Sequence, residues 1–327
     1  MKRHSWMTIR ILLATMVGLT ALISSMYVQV ANAAQTQAEQ NRPLSQPYVV
    51  YGAAAQQKHQ VAQTLGVTAK YATLTTTGAD ARYIGLSGIS DEAMISSVAL
   101  APAEPGTGTL VNIEPFEGQN NILQVKSQQY AMAATMAGVK DVIITVTANK
   151  PVSGEAALAG VYKALDQDGI PLDDQNTAAA NNVLSATSGA IQDNADDKKY
   201  PGKLTAAVTE TAGDLAKEKQ AGNPITINII IDQLTINLRK QGIEKQTSSV
   251  AVQNISQALS EVNAAPISDS KGFIKNTGHL SDTLQDSAGD VMAKVKDFAN
   301  SADAKEATNW FMINIWEPVK QFLANLF

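Results

Sequence analysis

Two segments of this chain repeat one pattern, and that pattern does most to limit its fold. Ala62-Gln63-Thr64-Leu65-Gly66-Val67 leads into a strand-like run at Tyr71, and Ala134-Thr135-Met136-Ala137-Gly138-Val139 leads into another at Val142. Each reads as a helix, a glycine stop and a strand; glycine suits the position just past a helix because it turns left-handed without a Cβ clash. Val142 to Thr147 is β-branched throughout, the strongest strand signal in the chain. Tyr48–Tyr51, Tyr71–Thr77, Ile95–Leu100 and Leu110–Ile113 read as further strands. Pro102, Pro105, Gly106 and Gly108 separate the last two, so that pair predicts a hairpin. Ala53–Leu65 and Gln124–Ala137 read as helices, and Asp80–Ile84 as one helical turn. The expected class is α+β: a small mixed sheet with ferredoxin-like (split βαβ) order, followed by a mainly helical region.

After Pro151 the pattern changes. Ser153 can cap a helix running to about Asp166, and Gly154, Ala157, Gly160 and Ala164 give it a smooth face for close approach to a sheet. Residues 203–219 and 248–262 read as helices. Ile225, Ile227, Ile229 and Ile231 alternate like a strand, yet Ile227, Ile231, Leu234 and Leu238 fit a helix, so periodicity admits both. Asn223 as cap and Pro224 at the first helical position favour the helix. The organisation expected is a signal peptide (1–33), a polar linker (34–47), an α/β domain (48–168), a helical region (169–263), a flexible connector (264–290) and a C-terminal amphipathic aromatic helix (291–327).

The first segment is read from three ordered parts. Lys2, Arg3 and Arg10 are positive, Ile11 to Ile23 is uncharged and mostly apolar, and Ala31-Asn32-Ala33 is a small-residue cleavage site. The apolar core is shorter than the roughly 20 residues that span a bilayer. The expectation is export, with Ala34 as first mature residue. The whole chain carries 25 Lys+Arg against 30 Asp+Glu. Removing residues 1–33 takes away three bases and no acid, leaving 22 against 30 and a net charge of -8. That balance excludes a general nucleic-acid binder, which needs a basic surface to displace counterions. The absence of cysteine excludes disulfides, thiolate metal sites and a cysteine nucleophile.

The C-terminal segment carries the expected interaction surface. Met312, Trp316, Val319, Leu323 and Leu326 fall on one helical face, which Phe311, Ile315 and Phe322 widen. Pro318 should kink the helix near Trp316. Interfacial membrane helices usually carry many cations, and this segment has only Lys320, balanced by Glu317. Packing on protein, within the chain, by self-association or on a partner, is therefore favoured over a membrane surface.

Chemistry is sparse. His59 and His279 are far apart and in no ligand spacing. Gly85-Leu86-Ser87-Gly88 falls short of a nucleophile elbow. Ser268-Asp269-Ser270-Lys271 matches S-x-x-K within an ordinary Ser-rich stretch. The metal candidates are Asp166 and Asp168, with Asp173 and Asp174 beyond. Read as a calcium loop from Ala164, this segment lacks the first carboxylate and the last bidentate one, so a helix ending at Gly169 competes with it. Glu114 and Glu117 flank Pro115 as a possible acid–base pair, with nothing in the sequence to perturb their pKa values. No catalytic residue and no cofactor is assigned.

Val50-Tyr51-Gly52-Ala53, Arg82-Tyr83, Ile95-Ser96-Ser97-Val98, Ala137-Gly138-Val139-Lys140-Asp141-Val142 and above all Pro151-Val152-Ser153-Gly154-Glu155-Ala156-Ala157-Leu158-Ala159-Gly160-Val161 resemble the YpuA-like secreted proteins of Gram-positive bacteria, a family of unknown function. The likeness is closest over 48–165 and looser from Pro224 to Val262; Glu114 to Leu123 departs from it. It implies export and a Gram-positive source, and brings no activity and no site residues. The expected function is a non-catalytic binding or structural protein of the cell envelope with an extracellular or envelope partner. The alternative is an extracytoplasmic enzyme with a carboxylate site of unfamiliar pattern.

Overall fold

A computed structural model of the chain describes residues 38–285, 287 and 289–293. The segment expected to be a signal peptide (1–33) and the residues expected to form an aromatic face, Phe311, Met312, Ile315, Trp316, Val319, Phe322, Leu323 and Leu326, lie outside the described residues.

Five strands form the sheet: β1 (Tyr48–Gly52), β2 (Ala72–Thr76), β3 (Ser97–Pro102), β4 (Thr109–Ile113) and β5 (Val142–Thr147), in the order β2-β1-β3-β5-β4. β1 and β2 are parallel, as are β4 and β5, while β3 runs antiparallel to β1 and to β5. The α+β class holds and two expectations fall. β3 and β4 do not form a hairpin, because β5 lies between them. The order is also not a split βαβ, since each parallel pair is directly adjacent. The physical reason is the β5 sequence: a continuous run of Val, Ile and Thr is buried on both faces and takes a site with partners on either side.

α1 (Lys58–Thr64) joins β1 to β2 and is shorter than expected, with Ala53–Gln57 in a turn. α2 (Ser127–Met136) joins β4 to β5 and is buried along its whole length. α3 (Ala156–Gln167) lies on the sheet face carrying Val50 and Val98. Gly160 makes that approach possible, since a Cβ there would stand 2.9 Å from Val98 Cγ1. On the opposite face Val49, Tyr51 and Ala99 pack with Val61, Leu65 and Phe116.

The helical region contains α4 (Asp174–Asp193), α5 (Tyr200–Gln220), α6 (Ile227–Lys240) and α7 (Ser249–Ala264). The Ile-rich segment is helical, but its cap is Thr226, whose Oγ1 accepts from Ile229 N, and not Asn223. Sheet and helices share one apolar core, from Leu44 through Tyr130, Leu204 and Leu259 to Ala293.

Two segments expected to be loose are built into this core. In place of a flexible connector at 264–290 there is a 3-10 turn at Pro266–Asp269 and a helix, α8 (Lys271–Gln285). Phe273, Thr277, Leu280 and Leu284 are its buried face, packed largely on α5. Glycines of α5 serve this packing. Gly213 of α5 leaves room for Thr277, and Gly202 for the backbone carbonyls of Leu284 and Ser287. The polar segment from residue 38 to 47 is likewise docked. Gln40 is fully buried, its N–H donating to Gly138 O at 2.8 Å and its Oε1 accepting from Lys140 N at 3.2 Å. Beyond it, Arg42 Nη1 donates to Asp168 at 2.8 Å.

The β4 edge is closed by the end of the described chain. Ile113 N donates to Asp290 O at 2.7 Å, and Asn112 Oδ1 accepts from the N–H groups of Met292 and Ala293, both at 2.9 Å. Among the described residues no helix is long and apolar enough to cross a membrane.

Candidate functional site

The acids proposed as metal ligands hold the fold together instead. α3 ends at Gln167 and the chain turns left-handed at Gly169. That leaves the Asp168 carboxylate facing the docked N-terminal segment. It accepts from Arg42 at 2.8 Å, from Ser45 N at 3.0 Å and from the Tyr48 hydroxyl at 2.8 Å, with the Ser45 hydroxyl also donating. Burial alone would raise its pKa; the Ser45, Tyr48 and Arg42 donors outweigh burial and hold it below the ordinary value. Asp166 instead accepts from the Tyr83 hydroxyl, Asp173 caps α4 through Gln175 N at 2.9 Å, and Asp174 opens the first turn of that helix. The four do not converge, and among the described residues no group of three or more His, Asp or Glu has metal-binding geometry.

Glu114 and Glu117 diverge. Glu117 is exposed with φ 49°, while Glu114 is buried just beyond β4. Glu114 Oε1 has no hydrogen-bond partner, and burial pushes its pKa up to about 7. The unperturbed carboxylate expected from sequence is thus corrected: the loop after β4 folds back, with Phe116 packed against Tyr51 and Ala99, and carries Glu114 out of water. Following the strand alternation, Glu114 shares its face with Asn112, and through the pairing with Thr145, Ala99 and Val49.

A cleft of about 310 Å3 opens elsewhere, where four separate segments meet. Lys126 and Gln128 come from the start of α2, Ile191 from the end of α4, Lys198 and Pro201 from the start of α5, and Asp290 from the segment that closes the β4 edge. Leu123, 59% exposed, forms its apolar rim. Asn120 Nδ2 donates to Asp290 Oδ2 at 3.2 Å, whereas the buried Oδ1 has no hydrogen-bond partner. Burial raises the pKa of Asp290, while Lys126, the Ser127 N–H at the α2 terminus and Asn120 favour its charged form and moderate the rise. The second acid in the wall, Asp197, accepts from Lys199 N at 2.9 Å at the start of α5. The cleft therefore presents a carboxyl group, two lysines and an apolar rim within one small volume.

Residues 51–280 match a family described as "Protein of unknown function (DUF1002)". The chain belongs to that family. Among relatives, it is 26% identical over 271 residues to the "Uncharacterized protein YpuA" of Bacillus subtilis (strain 168), covering 80% of this chain and 83% of the relative. No solved structure matches it. The match contains the end of β1, β2–β5, α1–α7 and most of α8, so Lys126, Ile191 and Lys198 fall inside the family region and Asp290 just beyond it. The family-like stretch at 151–161 has a structural basis. Gly154, at φ 115°, lets its carbonyl accept from Tyr130 OH at 2.6 Å, and a Cβ there would stand 2.5 Å from that hydroxyl. Gly160 follows six residues later, on the α3 face against the sheet.

Sequence reading missed the cleft because its walls are distant in sequence and carry no motif. The Asp196-Asp197-Lys198-Lys199 run before Tyr200 reads as solvated charge, and Asp290 as part of a connector.

Proposed function

We propose that this family member is exported and acts outside the cytoplasm as a non-catalytic protein of the cell envelope that binds a small ligand in the cleft at the start of α2 and α5. The single observation that carries the reading is the cleft of about 310 Å3 itself, walled by four separate segments that bring Lys126, Lys198, Asp290 and the exposed Leu123 together. Export is supported by the ordered basic, apolar and A-x-A segments before Ala34. Mass spectrometry of protein recovered outside the cell should find Ala34 at the N-terminus; an intact Met1 terminus overturns this part.

Ligand binding is tested by thermal-shift screening of the mature chain beside Ala195→Trp, which fills the cleft from its wall. Compounds that stabilise the first and not the second support the reading. A screen in which every stabilising compound acts equally on both refutes it. A carboxylate enzyme is the second reading, and it draws on Glu114, whose raised pKa suits proton transfer near neutrality.

A further inference from the structure

We propose that the C-terminal aromatic stripe docks on the second face of the sheet, over β3, β5 and β4, and forms the layer that the described residues do not supply there. The first face is already covered. α3 packs along β1, β2 and β3 against Val50 and Val98, α2 packs along β4, and the Tyr162 hydroxyl donates to Ala133 O at 3.4 Å, which sets the two helices side by side. The second face carries Val49 and Tyr51 of β1, Ala99 and Ala101 of β3, Ile143 and Thr145 of β5, and Leu110 and Asn112 of β4. Val61, Leu65 and Phe116 close its β1 side, on Val49, Tyr51 and Ala99. Over Ala101, Ile143 and Leu110, no described helix packs along this face, yet the three are only 6%, 1% and 7% exposed. The chain itself arrives there last. Val291 is exposed, Met292 and Ala293 are buried, and Asn112 Oδ1 accepts from the N–H groups of both. Residue 294 therefore starts on this face, with the 34 residues 294–327 still to place.

A sheet whose strands are apolar on both sides needs a layer on each. Ala99, Ala101 and Thr145 are small, so this face leaves depth for the large side chains of Phe311, Trp316, Phe322 and Leu326, and large against small is how packed layers interdigitate. As a helix, residues 311–326 would run about 24 Å, enough to lie along strands of about 17–20 Å. A segment tethered at Ala293 meets the face at an effective concentration of about millimolar, which a second copy matches only at that protein concentration. A lipid surface would draw on cations, and Lys320 is the single one within 311–326.

The sequence supplies clean probes. A chain beginning at Ala34 holds two tryptophans, Trp310 and Trp316, and Trp310→Phe leaves Trp316 as the sole reporter. Its emission should be blue-shifted and shielded from acrylamide, equally at every protein concentration. Ala101→Cys adds the only thiol to a cysteine-free chain. It should react with a maleimide about a hundredfold more slowly in the chain from Ala34 to Phe327 than in one ended at Ala293, while Ala133→Cys, buried in α2, stays protected in both. Trp316 quenched as readily as free tryptophan overturns the proposal. Shielding lost on dilution to the monomer overturns it in favour of a second copy, and shielding gained only with phosphatidylglycerol vesicles overturns it in favour of lipid. Equal rates at Ala101→Cys in the two chains, with Ala133→Cys protected, also overturn it, because the face is then closed without the stripe. Should the shortened chain fail to fold and expose Ala133→Cys, the longer chain decides: Ala101→Cys paired in turn with Met312→Cys, Trp316→Cys and Val319→Cys should give an intrachain disulfide on mild oxidation. Disulfides only between chains, or none with any of the three, overturn the proposal.

Discussion

Replacing Glu114 by Gln should make the protein more stable at alkaline pH and leave it unchanged at acid pH. Burial raises the folded-state pKa from 4.5 to about 7. Between these values the unfolded chain has released its proton and the folded chain has kept it, so stability falls as pH rises. At about 1.4 kcal/mol for each tenfold difference in proton affinity, the deficit grows to about 3 kcal/mol above pH ~8. Gln imitates the protonated carboxyl in shape and carries no charge, which removes the deficit. Urea unfolding followed by circular dichroism at pH 4, 6 and 8 measures it. With a slope of about 3 kcal/mol/M, the midpoints of the two proteins should coincide at pH 4 and differ by about 1 M urea at pH 8. A difference independent of pH, or one that grows towards acid, refutes the reasoning, because it would place a charged and solvated carboxylate at this position.

Three further outcomes are expected. Arg42→Ala should cost about 1–2 kcal/mol at pH 7, a fraction of what a sealed ion pair would cost, because the Arg42 side chain is 43% exposed and Asp168 keeps its Ser45 and Tyr48 donors. Asp168 is held below its ordinary 3.8, so this contribution is present above that pH and fades as the pH falls through the lower folded-state value; thermal melts at pH 7 and pH 2.5 will show the loss. Gly160→Val should cost about 3 kcal/mol or prevent folding, since even a Cβ lies 2.9 Å from Val98, and denaturant midpoints will report it. Deleting residues 303–327 should lower the melting temperature or change the oligomeric state without altering liposome binding; vesicle flotation that depends on these residues overturns the preference for protein over lipid.

The sequence signals that succeeded are local. Gly66 and Gly138 stop their helices at φ 69° and 97°, and Val142 to Thr147 is a strand because β-branched side chains suit an extended, buried backbone. What failed depends on partners distant in the chain. The β3–β4 hairpin was inferred from adjacency and a Pro/Gly turn, signals that cannot register competition from a strand that comes later. Pro266, Gly272, Gly278, Gly289 and the many Ser and Asp residues suggest a connector, but a distant helix, α5, offers Gly202 and Gly213 for close approach and draws the segment into the core. A helical face was nevertheless present there, in the spacing of Phe273, Thr277, Leu280 and Leu284. The cleft was the least legible part. Asp290 and Lys126 line one cleft because residues 289–293 close the β4 edge, and no spacing within either segment announces that.

The docked N-terminal segment and the closed β4 edge also determine when this fold can form. Gln40 is locked by Gly138 and Lys140, Arg42 by Asp168, and Asn112 by Met292 and Ala293. A chain made from its N-terminus delivers Gln40 some hundred residues before its first distant partner, and Asn112 about 180 residues before its last. Loop closure over such spans precedes any stabilising contact, which keeps early folding slow. The first half therefore has no finished structure of its own. Under the proposed export, the same long-range stitching that holds the folded protein would leave the chain in transit threadable.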